Sequence, residues 1–400
     1  MAVATVVFLI LTWATPAKAQ RTYTVTDLGA VAGAFETVPN GINNRGEVAA
    51  VSFVSFFPLE TIGFVVTKDG KMLLLPTLGG QSSLPSAINN RGEVAGSANF
   101  AGDTITHAAL WDGDLSQVTD LGTLGGATSD ALWLNDKLEV VGDSIIANGT
   151  DTHAFLWKNG KMLDLGTLGG SNSLAFVNNE GGQIVGQSDI TTAIDPTFGI
   201  PQFHGFLWER GIIKDFGEVF GGHFNDATGI NDRGQIVGGA DLAGDLIGHA
   251  FSIEGGSIKD LGALPGDNNS GAANLNNLGQ VVGISASVVP GLPPVSGFEC
   301  PCRATIWEDG KATDLNTVIP ANSGWQLQFA IAVNDQGQIV GVGARRTDFD
   351  IHAFLLTPHD AAAASTPAAA ANFNSSMDWS QASATRILMV NGKPRVVRER

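Results

Sequence analysis

The sequence predicts an all-β fold: a single β-propeller, most simply of seven four-stranded blades, with six or eight as the neighbouring counts. Three observations predict it. A marker of the form apolar-Asn-[Asn/Asp]-x-Gly-x-[Ile/Val]-[Val/Ala]-Gly recurs at 42–50, 88–96, 134–142, 177–186, 230–238, 275–283 and 333–341. A His-Ala-Phe type (107–111, 153–157, 204–208, 249–253, 303–307, 352–356) and a DLG type (Asp27, Asp120, Asp164, Asp215, Asp260, Asp314) recur in step with it. Worn copies at 62–66 and 74–76 bring each of these to seven. The chain opens on a DLG-type strand (23–29) and closes its last repeat on a His-Ala-Phe strand, so the first strand supplies what the last blade lacks and leaves no open edge.

The elements follow in chain order. Residues 1–19 have the apolar run and the Ala17-Lys18-Ala19 small-x-small site of a secretory signal, although the usual basic start is missing. No other stretch is apolar enough to span a bilayer, so export, to the outside, the cell surface or the periplasm, is expected. Residues 20–358 form the propeller. Within a repeat, a short apolar run such as Ser173–Asn178 is strand A. A turn like Asn231-Asp232-Arg233-Gly234 follows, its Asn bonding its own backbone and its Gly accepting positive φ. The I-V-G run is strand B. After a loop, HAFLW is strand C. Asn159-Gly160 is a tight hairpin signal, and KMLDLG is strand D. Residues 359–400 are an Ala-rich linker and a tail. Over 361–400 there are five basic residues against two acidic ones.

Charge narrows the partners. Net charge is −17 and the basic tail makes the body more acidic still. Such a surface repels phosphate, which argues against nucleic acid. A monomer that is not an integral membrane protein is expected, with an extracellular glycan or a protein as its partner. The two cysteines, Cys300 and Cys302, are too few to staple the fold. No phosphate loop, dinucleotide fingerprint or zinc constellation is present, so no cofactor is expected. The GDNNSG run at 266–271 offers oxygen ligands that suit a structural calcium ion.

The repeated histidines and acids have a structural explanation. The turn at Asn159-Gly160 pairs Phe155 with Asp164 and sets His153 diagonal to that acid, within side-chain reach. The same count joins His204 to Asp215 and His249 to Asp260, and His352 would meet Asp27 where the ring closes. Where the histidine becomes Ile62 the acid becomes Leu74; where it becomes Arg303, Asp314 stays. Copies that vary as pairs are hydrogen-bonded clips, because a catalytic dyad is needed once. No catalytic residue is assigned.

The combination HAFLW…DLGTLGG…NxxGQIVG, over roughly 23–357, resembles the HAF-repeat family of extracellular bacterial proteins. The resemblance implies secretion and a repeat array and carries no reaction with it.

A ligand is expected on the face built from the B–C and D–A loops, which vary while the A–B and C–D turns do not. Two B–C loops are long, 187–203 and 284–302. Departures from the repeat on that face are Asp195, His223, Asn225, Asp226, Asp267, Asn268, Asn269 and Trp325. A non-catalytic binding scaffold is the favoured function. The alternatives are a hydrolase or lyase using Asp195, Asp226 and Asp267 around the channel, and a purely structural surface protein.

Overall fold

The structure is a computed structural model. It describes residues 21–56, 59–147, 149–287, 302–345, 351–359, 385–390 and 393–398. The proposed signal segment and most of the second long loop lie outside the described residues. The ring consists of seven four-stranded antiparallel sheets. Blades 1 to 6 span 36–74, 79–120, 125–164, 173–215, 221–260 and 269–314. Blade 7 takes three strands from 325–359, and its outer strand is Thr22–Asp27, which pairs with Ile351–His359 from Thr22 opposite His359 to Asp27 opposite Phe354. In each blade the strands run A to D outward from the axis. The A–B and C–D turns lie on one face (the turn face), and the B–C and D–A loops on the other (the loop face).

Alternation explains the core. The phenylalanine of each HAF copy is fully buried between sheets: Phe64, Phe155, Phe206, Phe251 and Phe354 show no exposure. Strand A carries a bulge in every blade; in blade 4 the register shifts between Ala175 and Val177. The glycine that ends the I-V-G run sits against it. A Cβ on Gly186 would lie 1.9 Å from the Leu174 carbonyl oxygen, and Gly142, Gly238 and Gly341 stand as close to theirs. Hence the marker ends in glycine for close approach, not for an unusual φ.

The DLG acid serves twice. Asp120, Asp164, Asp215, Asp260 and Asp27 each accept the N–H of the glycine two residues on, at 2.7–2.8 Å. That glycine has φ of 65–78°, so the tripeptide is an Asx turn that only glycine closes comfortably. The same acid meets the histidine of strand C. His153 Nδ1 lies 2.9 Å from both Asp164 oxygens, His204 2.8 Å from Asp215, His249 3.0 Å from Asp260 and His352 3.2 Å from Asp27. A further pair, His107 with Asp120 at 2.8 Å, is absent from the sequence count because its turn is two residues longer. In blade 6 Arg303 reaches both Asp314, at 3.3 Å, and Asp267, at 2.7 Å.

Adjacent blades are joined by hydroxyl struts. Ser173 Oγ accepts the Ala154 N–H and donates to the Gly166 carbonyl, and Ser129 and Ser270 repeat the arrangement. Cys302 is buried and disulfide-bonded.

Candidate functional sites: an axial cavity and a loop-face cluster

The marker asparagine builds the axis. Each one lies at the A–B turn, buried. Its Oδ1 accepts the N–H four residues on, at 2.9–3.0 Å. Its Nδ2 donates to the Glu or Gln side chain at that position and to the backbone carbonyl of the corresponding asparagine in the next blade. The inter-blade bonds run Asn43, Asn89, Asn135, Asn179, Asn231, Asn276, Asn334 and back to Asn43, at 2.8–3.2 Å. Seven hydrogen bonds thus close a circle. One correction follows: in blade 4 the ring member is Asn179, not Asn178, since only Asn179 lies four before Gln183, and Asn178 ends strand A where the other blades have Ile42, Ile88, Leu134, Ile230, Leu275 and Val333. The invariably Glu or Gln position (Glu47, Glu93, Glu139, Gln183, Gln235, Gln280, Gln338) was visible in the sequence as a variable "x", and its need for an acceptor beside Asn Nδ2 explains it.

A second circle lies outside the first. The backbone N–H of Asn44, Asn90, Asp136, Glu180, Asp232, Asn277 and Asp335 each donates to the side-chain oxygen of the next member, at 2.6–2.9 Å. Together the circles line an axial cavity of about 150 Å³ on the turn face, with every blade contributing. It lies on the face opposite to the one expected to bind, because uniform turns converge at the axis where the loops do not.

The predicted loop-face residues divide. Five belong to the scaffold, among them Asn269, whose Oδ1 accepts the Gly248 N–H at 2.9 Å. Asn225 is the strut of blade 5, accepting the Gly205 N–H and donating to the Gly217 carbonyl in place of serine. Asp267 is held through its Oδ2 by Arg303 and the Ser285 hydroxyl. Asn268 donates its backbone N–H to Ala286. Trp325 is buried against His352 and Phe354, with the Arg345 guanidinium 6.0 Å over its ring.

The other three, Asp195, His223 and Asp226, come to one region between blades 4 and 5. His223 Nδ1 is 2.7 Å from Asp245, whose hydrogen bond and charge raise its pKa, with Glu218 and Asp195 adding to the effect. Burial pushes Asp226 up to about 6. Burial, then the charges of Asp245 and Asp226, push Asp241 up to about 7. Asp195 caps its own turn, and the Thr197 N–H holds it below the usual carboxylate range.

Blade 2 shows what blade 5 has lost. There Asn99 Nδ2 donates to Asp103, Thr106 donates to Asn99, and Gln81 donates to Asp103. The corresponding residues of blade 5 are Asp241, Asp245, Gly248 and His223. Two donors have become a second carboxylate and a glycine, so like charges adjoin where an amide once separated them. Beside this cluster the B–C segment of blade 4, expected as a loop over 187–203, is instead a long hairpin, Ile184–Ile194 with Pro201–Glu209. Its tip exposes Ile194, Phe198 and Ile200. Phe198 and Phe203 meet Phe224 edge-on at 5.0 and 5.2 Å. Sequence reasoning missed Asp241 and Asp245, whose signal is the contrast of GADLAGD with SANFAGD.

Among the described residues no three His, Cys, Asp or Glu side chains gather closely enough to hold a metal ion. No described helix is long and apolar enough to cross a membrane.

No family model matches the chain, and no curated protein does. Among solved structures, the β-propeller domain of the trilobed protease from Pyrococcus furiosus is similar, with a TM-score of 0.54 at 11% identity over 84% of this chain and 95% of that one. A gluconolactonase from Xanthomonas campestris (TM-score 0.40, 11% identity, 86% and 94% covered) and a sialidase from Trypanosoma rangeli (0.38, 12%, 85% and 57%) are more distant. At these identities the first likeness is one of fold alone: the chain is a seven-bladed β-propeller.

Proposed function

We propose that this protein is an exported, HAF-repeat binding scaffold that takes an extracellular glycan or protein on its loop face, between blades 4 and 5. One observation carries the reading: the polar groups common to the blades are spent on clips, struts and rings, whereas the departures of blades 4 and 5 converge. Acids, a histidine and exposed apolar side chains adjoin there, the mixture a recognition surface uses. The buried disulfide at Cys302 supports an oxidising compartment. The raised values of Asp226 and Asp241 favour, as a second reading, acid–base chemistry by that pair.

Thermal unfolding of residues 20–400 against polysaccharides, cell-wall fragments and surface proteins tests both. A ligand at a hundred times its Kd adds about 2.7 kcal/mol to stability and raises the melting temperature. The scaffold reading expects a rise with one ligand class that Asp241→Asn and Phe198→Ala abolish, with the ligand recovered intact. Consumption of the ligand that stops in Asp226→Asn would establish the second reading. A rise that survives all three substitutions would move binding off this face.

A further inference from the structure

The outer axial circle is not uniform. Asn90 donates its amide to Asp136, Asn44 to Asp335, and Asn277 to both Asp232 and Asp335, at 2.9–3.3 Å. Amides and acids do not alternate strictly around the ring. Asn44 and Asn90 are two amides in succession, and on the other side, in one arc, three acids, Asp136, Glu180 and Asp232, follow one another across blades 3, 4 and 5. Burial and the charges of Asp136 and Asp232 raise the Glu180 pKa, against the hydrogen bond it accepts from the Asp136 N–H. The nearest cation, Lys137, donates to the Glu180 backbone carbonyl and not to its carboxylate.

A second, independent feature lies in the same arc. Asn178, at the end of strand A where the other six blades have an Ile, Leu or Val, lines the cavity and is 2% exposed. Its Nδ2 donates to the Glu139 carbonyl at 3.0 Å, which leaves its Oδ1 as a buried acceptor with no donor among the described residues. Such an orphan is costly unless something donates to it. The arc thus holds acceptors in excess of its donors: Asn178 Oδ1 and one Glu180 carboxylate oxygen are left over, and Lys137 serves neither.

We propose that the turn-face mouth of the axial cavity, at Asp136, Glu180, Asp232 and Asn178, is a binding site for a guanidinium or ammonium group. The carboxylates do not gather as an ion's ligands would, whereas a cation carrying several N–H donors spans separated acceptors. A cavity of about 150 Å³ admits the end of one arginine or lysine side chain. Two sources share this chemistry: a basic segment of another protein, and this chain's own end, with Arg386, Lys393, Arg395, Arg398 and Arg400. The second is within reach. Strand Ile351–His359 runs from the loop face to the turn face, so the chain leaves the ring on the side of the arc. A linker of about 25 residues has an r.m.s. span of roughly 25–30 Å if flexible, against the roughly 20 Å from a third strand to the axis.

The site does not depend on the loop-face reading, and its test leaves that face untouched. A synthetic peptide of residues 385–400 is titrated by calorimetry into four full-length proteins. These are the native chain, a chain with the five basic tail residues replaced by Gln, and that chain carrying Glu180→Gln or, on the outer part of the turn face, Asp69→Asn. Glu180→Gln keeps the oxygen that accepts the Asp136 N–H, and Asp232→Asn serves if it fails to fold. The proposal expects the neutral-tailed chain to bind, Glu180→Gln to weaken binding at least about tenfold, and Asp69→Asn to leave it unchanged. Weaker binding by the native chain would assign the chain's own tail as occupant; equal binding would assign another protein. No binding to the neutral-tailed chain, or equal losses from Glu180→Gln and Asp69→Asn, would overturn the site.

Discussion

At the scale of single residues, the protein separates charges it neutralises from charges it isolates. The His–Asp clips are partly exposed and repeated; each contributes little, since solvent screens such pairs to at most about 1 kcal/mol. Glu36 is the opposite case. It is 5% exposed, both carboxylate oxygens lack a partner among the described residues, and burial pushes it up to about 8. Between its ordinary value of 4.5 and about 8, the folded chain keeps a proton that the unfolded chain releases. The sign is therefore fixed: stability falls as pH rises through that window, by up to about 1.4 kcal/mol per unit, and levels off above it. Glu36→Gln removes this slope. Denaturant unfolding at pH 5 and pH 8.5 should show the variant gaining on the native chain at the higher pH; parallel curves would mean that Glu36 finds a partner in solution.

At the scale of the strand and turn, the repeat is a set of steric and hydrogen-bond requirements rather than a motif. Gly186→Ala places a Cβ at 1.9 Å from the Leu174 oxygen, so strand A of blade 4 must move. The expected loss is about 3 kcal/mol or more, read as a drop in the denaturation midpoint, and Gly160→Ala in an open hairpin turn should lose much less. Legibility in the sequence follows the same division. The four-strand unit and the His153–Asp164 geometry were readable because turn type fixes register, and register fixes which side chains meet. The inter-blade partners of Asn43 were not readable, since they lie 46 residues and one blade away. The role of Asn178 escaped because two asparagines in succession let the marker be read one residue early, which puts Asn178 in the turn instead of at the apolar end of strand A. Asn225 looked like a departure and is a strut, because an amide can stand in for a hydroxyl that accepts and donates at once.

At the scale of the whole molecule, the ring has a joint. Thr22–Asp27 is separated from its partner strand by more than three hundred residues, and Tyr23 is buried in the core that this strand seals. Removing residues 21–27 leaves Ile351–His359 as an open edge and takes Asp27 from His352 and Arg345. Such a chain is expected to melt lower and to associate with increasing concentration, as light scattering would report; a monomer with unchanged melting would mean that the three-stranded seventh blade suffices. The candidate loop-face site was only half legible at this scale. Sequence placed Asp195, His223 and Asp226 on one face, but which blades adjoin, and that the uniform turns enclose the axial cavity, emerge only when the ring is built.

The asparagine circle has a direction, and direction has a consequence for ancestry and for engineering. Every blade gives an amide proton to its successor and receives one from its predecessor, so no blade is first. The hydrogen bonds of the circle do not mark the blade at which the chain enters the ring. A permuted gene that joins the present ends and opens instead in the loop between Ile146 and Asp151 asks nothing new of the turns, and the same seven-membered cycle closes whichever blade is translated first.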